Sequence, residues 1–201
     1  MFSGIVNEAG VIKDIFSENH QQKMSIFTKN ITDIVIGSSI SCAGVCLTAT
    51  DINKVSDGFI FDVYVSPETL SKTTLKTYRN GSRINLERSL CMGDEISGHM
   101  VQGHVDTKVK ITKVTQDFES TRFYFELSDY LDNFIVPKGS VSLDGTSLTV
   151  NEVSEKEFGV SIIPYTKDVT TWNEKCINDF VNIEVDMYAR YIRKQLIKLG
   201  K

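Results

Sequence analysis

Gly37 to Thr50 reads GSSISCAGVCLTAT, and Lys138 to Val150 reads KGSVSLDGTSLTV. Ser39 and Ser140, Ser41 and Ser142, Gly44 and Gly145, Leu47 and Leu148, and Thr48 and Thr149 are each 101 residues apart. Both stretches alternate Ser with Ile, Cys, Val or Leu, the period-two pattern of a strand with one apolar face. Ala43-Gly44 and Asp144-Gly145 then break the alternation with residues suited to a two-residue hairpin turn. One strand–turn–strand unit is written twice.

The matching extends in both directions. SPETLSKTTL (Ser66 to Leu75) resembles IPYTKDVTTW (Ile163 to Trp172), and INLE (Ile84 to Glu87) resembles VNIE (Val181 to Glu184), both at a spacing of 97. Upstream, FSGIV (Phe2 to Val6) faces VQGHV (Val101 to Val105) at a spacing of 99. The order is kept and the spacing drifts slightly, as loop insertions and deletions would produce. The chain is a tandem duplication with a boundary between Met92 and Gly98. Ser66-Pro67-Glu68 reads as N-cap, first helical residue and acidic first turn, so a short helix is predicted there. Several short strands and one brief helix per half predict a small closed barrel, which leaves no sheet edge open. The fold class is all-β: two barrels in tandem.

The tail, VDMYARYIRKQLIKLGK, breaks the pattern. Met187, Tyr188, Tyr191, Ile192, Ile197 and Leu199 form an apolar stripe among Arg190, Arg193, Lys194 and Lys198, predicting an amphipathic helix with basic residues at its C-terminal end. It has no counterpart after the first half. Its stripe is expected to pack on its own barrel or on a partner subunit. The resulting division is 1–96 for the first barrel, 97–186 for the second and 187–201 for an oligomerisation helix.

Composition narrows the function. A net charge of −4 over 201 residues argues against a general nucleic-acid binder. No apolar run is long enough for a transmembrane helix, and MFSGIVNEAG has neither the basic nor the apolar region of a secretory signal, so a cytoplasmic location is expected. Cys42, Cys46, Cys91 and Cys176 form no CxxC pair, and His20, His99 and His104 lack zinc-site spacing, so no metal is expected.

The copies differ at reactive positions. His104 stands opposite Ile5, Cys46 opposite Ser147, Asp144 opposite Ala43, and Asp186 opposite Ser89, while Lys138 faces no cation at Ile36 or Gly37. Alternation places the serines on the polar strand face, where they are either ordinary solvent-facing residues or donors to a flat heterocycle and a polyol chain. Two similar surfaces with unequal chemistry can hold two similar molecules in different roles.

MFSGIV, CAGVCLT, ETL, NLER, GHMVQGHVD, KGSVSLDGTSLTV, IPYT and VNIEVD together resemble the riboflavin synthase family of lumazine-binding double barrels. The resemblance runs from Met1 to the tail, and its motifs come in the family's order. Ala43, Ser97 and Tyr165 depart from it, at positions where Asn, Gly, and His or Glu are usual. The resemblance implies six-stranded Greek-key flavin-type barrels in a homotrimer, with each active site between the N-terminal barrel of one subunit and the C-terminal barrel of another. It implies dismutation of two 6,7-dimethyl-8-ribityllumazine molecules by transfer of a four-carbon unit, without metal or organic cofactor.

Carried over by position, the resemblance puts Phe2, Gly4, Ile5, Val6, Ser39, Cys46, Leu47, Thr48, Asp62, Ser66, Glu68, Thr69, Gly103, His104 and Val105 at an N-terminal site. Lys138, Asp144, Ser147, Leu148, Thr149, Ser161, Ile162, Ile163, Pro164, Tyr165, Thr166 and Asp186 form a C-terminal one. His104 is the expected proton-transfer group, since imidazole titrates near neutral pH. Cys46 and Ser39 follow as ligand contacts or relays; Lys138, Asp186 and Ser147 are expected to orient and stabilise charge. Structural readings stand beside these: His99 as a strand histidine or a ligand contact, Cys46 as a small core residue, Asp186 as a partner for backbone N–H at the helix start. A non-catalytic, antenna-type lumazine or flavin binder is the alternative, but such proteins lose the reactive second-half positions kept here. A scaffold without ligand leaves the unequal substitutions unexplained.

Overall fold

The computed structural model describes residues 1–18 and 21–200; His20 lies outside the described residues. The first half runs β1 (Glu8–Glu18), β2 (Gln21–Thr28), β3 (Ser39–Cys42), β4 (Val45–Val55), β5 (Gly58–Val65), α1 (Pro67–Lys72), a 3-10 turn (Thr74–Thr77) and β6 (Arg83–Arg88). The second repeats it as β7 (Thr107–Asp117), β8 (Ser120–Glu126), β9 (Ser140–Leu143), β10 (Thr146–Val153), β11 (Glu157–Ile162), α3 (Pro164–Val169), a 3-10 turn (Thr171–Glu174) and β12 (Phe180–Val185), with one extra helical turn, α2 (Asp129–Asp132), between β8 and β9. Each set of six strands closes into an antiparallel barrel, ordered β1-β2-β5-β4-β3-β6 and β7-β8-β11-β10-β9-β12. α4 (Met187–Lys198) follows the second barrel.

Register shifts fall at matching places in the two barrels. They lie between Ile12 and Asp14 and between Ala49 and Asp51 in the first, and between Ile111 and Lys113 and between Val150 and Glu152 in the second. An extra residue bends a strand and adds twist, which lets six short strands close on themselves. The cores differ in content. Ile12, Met24, Ile26, Phe61, Val63 and Leu75 fill the first, whereas Phe123, Phe125, Phe158 and Trp172 make the second aromatic. Each such side chain, fully removed from water, stabilises its barrel by roughly 1.5–3 kcal/mol.

The opening motif has an unexpected place. Ala43 (φ 49) with Gly44 (φ 81), and Asp144 (φ 44) with Gly145 (φ 80), form the predicted hairpin turns with both residues left-handed. These turns are not at solvent tips; they meet each other between the barrels. A Cβ on Gly44 would stand 2.7 Å from the Gly145 nitrogen, and one on Gly145 would stand 2.9 Å from the Gly44 nitrogen. Ser41 and Ser142 are accordingly buried, since each polar strand face lies near the other copy.

Two asparagines complete the junction. Asn85 donates from Nδ2 to the Asp144 carbonyl (2.9 Å) and accepts the Thr171 N–H (2.8 Å). Asn182, its counterpart, donates to the Ala43 carbonyl (2.8 Å) and accepts the Thr74 N–H (2.7 Å). Buried backbone polar groups require partners, and here each copy supplies them for the other.

Candidate functional site

The segments preceding each barrel are glycine-containing straps, residues 2–5 and 101–105. They pair with each other through Phe2 and Val101, whose N–H groups donate to one another's carbonyls at 2.8 and 3.0 Å. They then diverge to opposite barrels. The Cys46 N–H donates to the Gly103 carbonyl (2.9 Å), and the Ser147 N–H donates to the Gly4 carbonyl (2.7 Å). Both approaches exclude side chains: a Cβ on Gly103 would lie 2.5 Å from the Cys46 Cβ, and one on Gly4 would lie 2.6 Å from the Ser147 Cβ. Both glycines are also left-handed, at φ 78 and φ 75, which an L side chain resists.

On the first barrel this builds a cavity of about 210 Å³. Cys46, Glu68, Thr69, Gly103, His104 and Val105 line it together with Val45, Lys72 and Thr73. α1 supplies its wall: the Ser66 hydroxyl accepts the Thr69 N–H (3.1 Å) as the predicted N-cap, with Pro67 and Glu68 in the first turn. Cys46 and Thr48 share a face of β4, while Leu47 between them points into the core. Ser39 lies in register with Thr48 on β3. Burial, and next the neighbouring Cys46, push the Cys42 thiol far above its usual value; Cys46 itself is half-buried.

On the second barrel the centre is Ser147. Its hydroxyl lies 2.7 Å from His99 Nδ1, a partner that the sequence reading did not name. Burial lowers the His99 pKa below the usual histidine value, against the opposing influence of the Asp186 carboxylate. The neutral ring can accept the serine proton. Asp186 caps α4, accepting the Tyr188 N–H (2.9 Å), and with Ser140 it lines a groove of about 360 Å³ under that helix. Lys138 is exposed and left-handed (φ 67), at the position where the first copy has Gly37 (φ 92). Thr149, Ile163, Pro164 and Tyr165 are exposed, and Leu148, Ser161 and Thr166 are half-buried.

Other expected residues lie away from these surfaces. Asp144 is fully buried at the junction, accepting the Asn182 N–H (2.7 Å) and pairing with Lys175 (2.7 Å). Ile162 is wholly in the second core, and Phe2 and Val6 are buried. Asp62 sits in the barrel wall, bonded to Ser25 (2.6 Å) and Lys23 (2.7 Å). Gly4 rests on the second barrel, not beside Cys46, because the straps cross. A larger hollow of about 430 Å³ at the junction, walled by Tyr78, Arg83, Glu174 and Lys175 among others, contains none of the expected site residues.

Residues given no role by sequence reading hold the straps. Glu87 accepts the Ser3 N–H (2.8 Å), the Ser3 hydroxyl (3.0 Å) and the Gly4 N–H (3.1 Å). Glu184 accepts the N–H groups of Gln102 (2.7 Å), Gly103 (2.8 Å) and His104 (2.9 Å). Their signal was the repeated INLE and VNIE.

The lumazine binding domain family matches residues 3–89 and again 102–186. The riboflavin synthase of Brucella abortus (strain 2308) is 42% identical over 193 residues, covering 95% of this chain and 96% of that protein. The chain belongs to the riboflavin synthase family. The Bacillus subtilis (strain 168) riboflavin synthase is 36% identical, covering 100% of this chain and 92% of its own length. The structure of LumP complexed with riboflavin superposes with a TM-score of 0.83 at 22% identity, covering 92% of this chain and 99% of that one. That likeness establishes the shared double-barrel fold.

Proposed function

We propose that this chain is a transferase catalysing dismutation of two 6,7-dimethyl-8-ribityllumazine molecules into riboflavin and 5-amino-6-(D-ribitylamino)uracil. The observation that carries it is end-to-end similarity to riboflavin synthases on a duplicated fold whose copies differ in chemistry. One compound serving as donor and acceptor calls for two related sites with unequal groups. The lumazine 7-methyl group is acidic because its carbanion delocalises into the ring, so a positioned base generates the nucleophile. His104 is that proton-transfer group, with Cys46 and Ser39 as contacts or relays on the first barrel. Ser147, Lys138 and Asp186 orient the second molecule and stabilise developing ring charge. Much of the acceleration comes from holding two rings in the reacting orientation.

The functional units are the barrels 1–96 and 97–186 and the helix 187–201. The assembly is a cytoplasmic homotrimer with each site between the first barrel of one subunit and the second barrel of another. Tyr188, Tyr191, Ile192 and Ile197 on α4, each more than half exposed in the single chain, support a partner there. No described helix is long and apolar enough to cross a membrane. The reaction as written needs no metal or organic cofactor.

Anaerobic incubation of the purified protein with the lumazine alone tests the reading. One riboflavin per two lumazines consumed supports it. Tight, fluorescent binding without turnover overturns it in favour of a lumazine- or flavin-binding protein of the same fold.

A further inference from the structure

The two straps have the same construction. In each, successive backbone N–H groups around a left-handed glycine converge on one carboxylate, the concave arrangement that suits an anion. Glu184 on β12 gathers three N–H groups at 2.7–2.9 Å, and the last belongs to His104 itself. Glu87 on β6 gathers Ser3 and Gly4. Both carboxylates are almost completely removed from water, at 3% and 4% exposure. A buried carboxylate is costly unless its oxygens are satisfied, so carboxylate and strap hold each other in place. Other anchors are the Phe2–Val101 pair, the strap's own glycine carbonyl, which accepts an N–H from the opposite barrel, and, in the first strap, the Ser3 carbonyl, which accepts the His99 N–H.

We propose that Glu184 and Glu87 are matched positioning residues, each latching one strap so that its outward face completes a ligand surface on the opposite barrel. Glu184 fixes His104 beside Cys46 across the 210 Å³ cavity. Glu87 fixes Gly4 beside Ser147, and with it the strap that carries Ile5. Neither glutamate touches ligand; each acts through the backbone of the residues that do. The latch is of the same kind in both copies, and the residue after its glycine differs, His104 in one and Ile5 in the other. The inference rests on the proposed function for its turnover readout alone.

The test compares Glu184→Gln and Glu87→Gln with wild type in the full chain, by amide hydrogen exchange, riboflavin binding, the NMR titration of the His104 ring, and turnover. An amide in place of the carboxylate keeps the volume and removes an acceptor. Glu184→Gln should speed exchange at Gln102, Gly103 and His104 while barrel-strand amides keep their protection. It should also shift the His104 titration, weaken riboflavin binding and lower kcat, each of the last two by about tenfold or more. Glu87→Gln should free Ser3 and Gly4 instead and leave the His104 titration unchanged. The proposal is overturned by unchanged exchange at residues 102–104, by freed amides with unaltered ligand binding, or by loosening of the whole barrel. If Glu184→Gln does not fold, Glu87→Gln decides on the same readouts at Ser3 and Gly4; if neither folds, the glutamates are determinants of the fold and the proposal fails. Exchange and riboflavin binding decide the latch even if the wild-type protein does not turn lumazine over.

Discussion

The two barrels answer the same packing problem differently, and their substitutions fall into two kinds. Where the first barrel has Leu75 and Val45, the second has Trp172 and Thr146, and the indole N–H donates to the threonine hydroxyl at 3.0 Å. Where the first has Ala43 and Tyr78, the second has the buried Asp144 paired with Lys175. Each of these changes is compensated by another in the same barrel. Lys138 for Gly37 and His104 for Ile5 have no such structural return, and the hydroxyl of Ser147, in place of Cys46, meets the His99 ring at 2.7 Å on the strap side. Compensated differences keep a barrel packed, whereas uncompensated ones fall at the strap surfaces and the left-handed position before β9.

The largest expected effect breaks a compensated pair. Asp144→Ala makes the second turn resemble the first but leaves Lys175, 15% exposed, without its partner. It should cost about 3–5 kcal/mol, read as a lower denaturant midpoint. Adding Lys175→Tyr, which completes the first-barrel combination, should recover most of that loss.

An uncompensated difference should act on turnover. His104→Ala is expected to lower kcat about 10²-fold with little change in unfolding midpoint. Ile5→Ala, at the matching strap position, should cost less than tenfold, and equal losses would erase the distinction between the straps. Returning to stability, Thr146→Val strands the buried Trp172 N–H and should cost about 1–3 kcal/mol. In the first barrel the reverse change, Val45→Thr, buries a hydroxyl beside Leu75, which offers no acceptor; it should destabilise as well, by a similar amount.

Lys138→Gly removes a left-handed lysine and should stabilise by about 1 kcal/mol, measured by thermal unfolding, while weakening lumazine binding. A gain in stability without loss of binding would move Lys138 out of the site.

The smallest effect is in pH dependence. With the His99 pKa depressed by burial, the folded state binds fewer protons than the unfolded chain near pH 6.5, so stability falls as pH drops through that region. Glu87 and Glu184 act oppositely in a lower window. Burial raises them above 4.5, against the lowering by strap hydrogen bonds, so their contribution is full below pH 4.5 and lost as pH rises through the raised values. Denaturation midpoints across pH 4–8 for wild type and His99→Gln should differ in slope on the acid side of 6.5.

Duplication, strand alternation, the hairpin turns, the Ser66 cap and the amphipathic tail were legible because each is a local pattern whose physics acts over a few residues. Ser39 and Ser41, Ala43 and Gly44 announced a strand and a turn, but alternation distinguishes faces without saying what each face meets. Only the tertiary structure decided that the repeated turns pack against one another, which buries Ser41, Ser142 and Asp144. Only it decided that the straps cross, bringing His104 to Cys46 and Gly4 to Ser147. Those contacts join residues on the order of a hundred positions apart, and their energy comes from satisfying buried backbone groups, a need that arises once the two barrels have closed and docked.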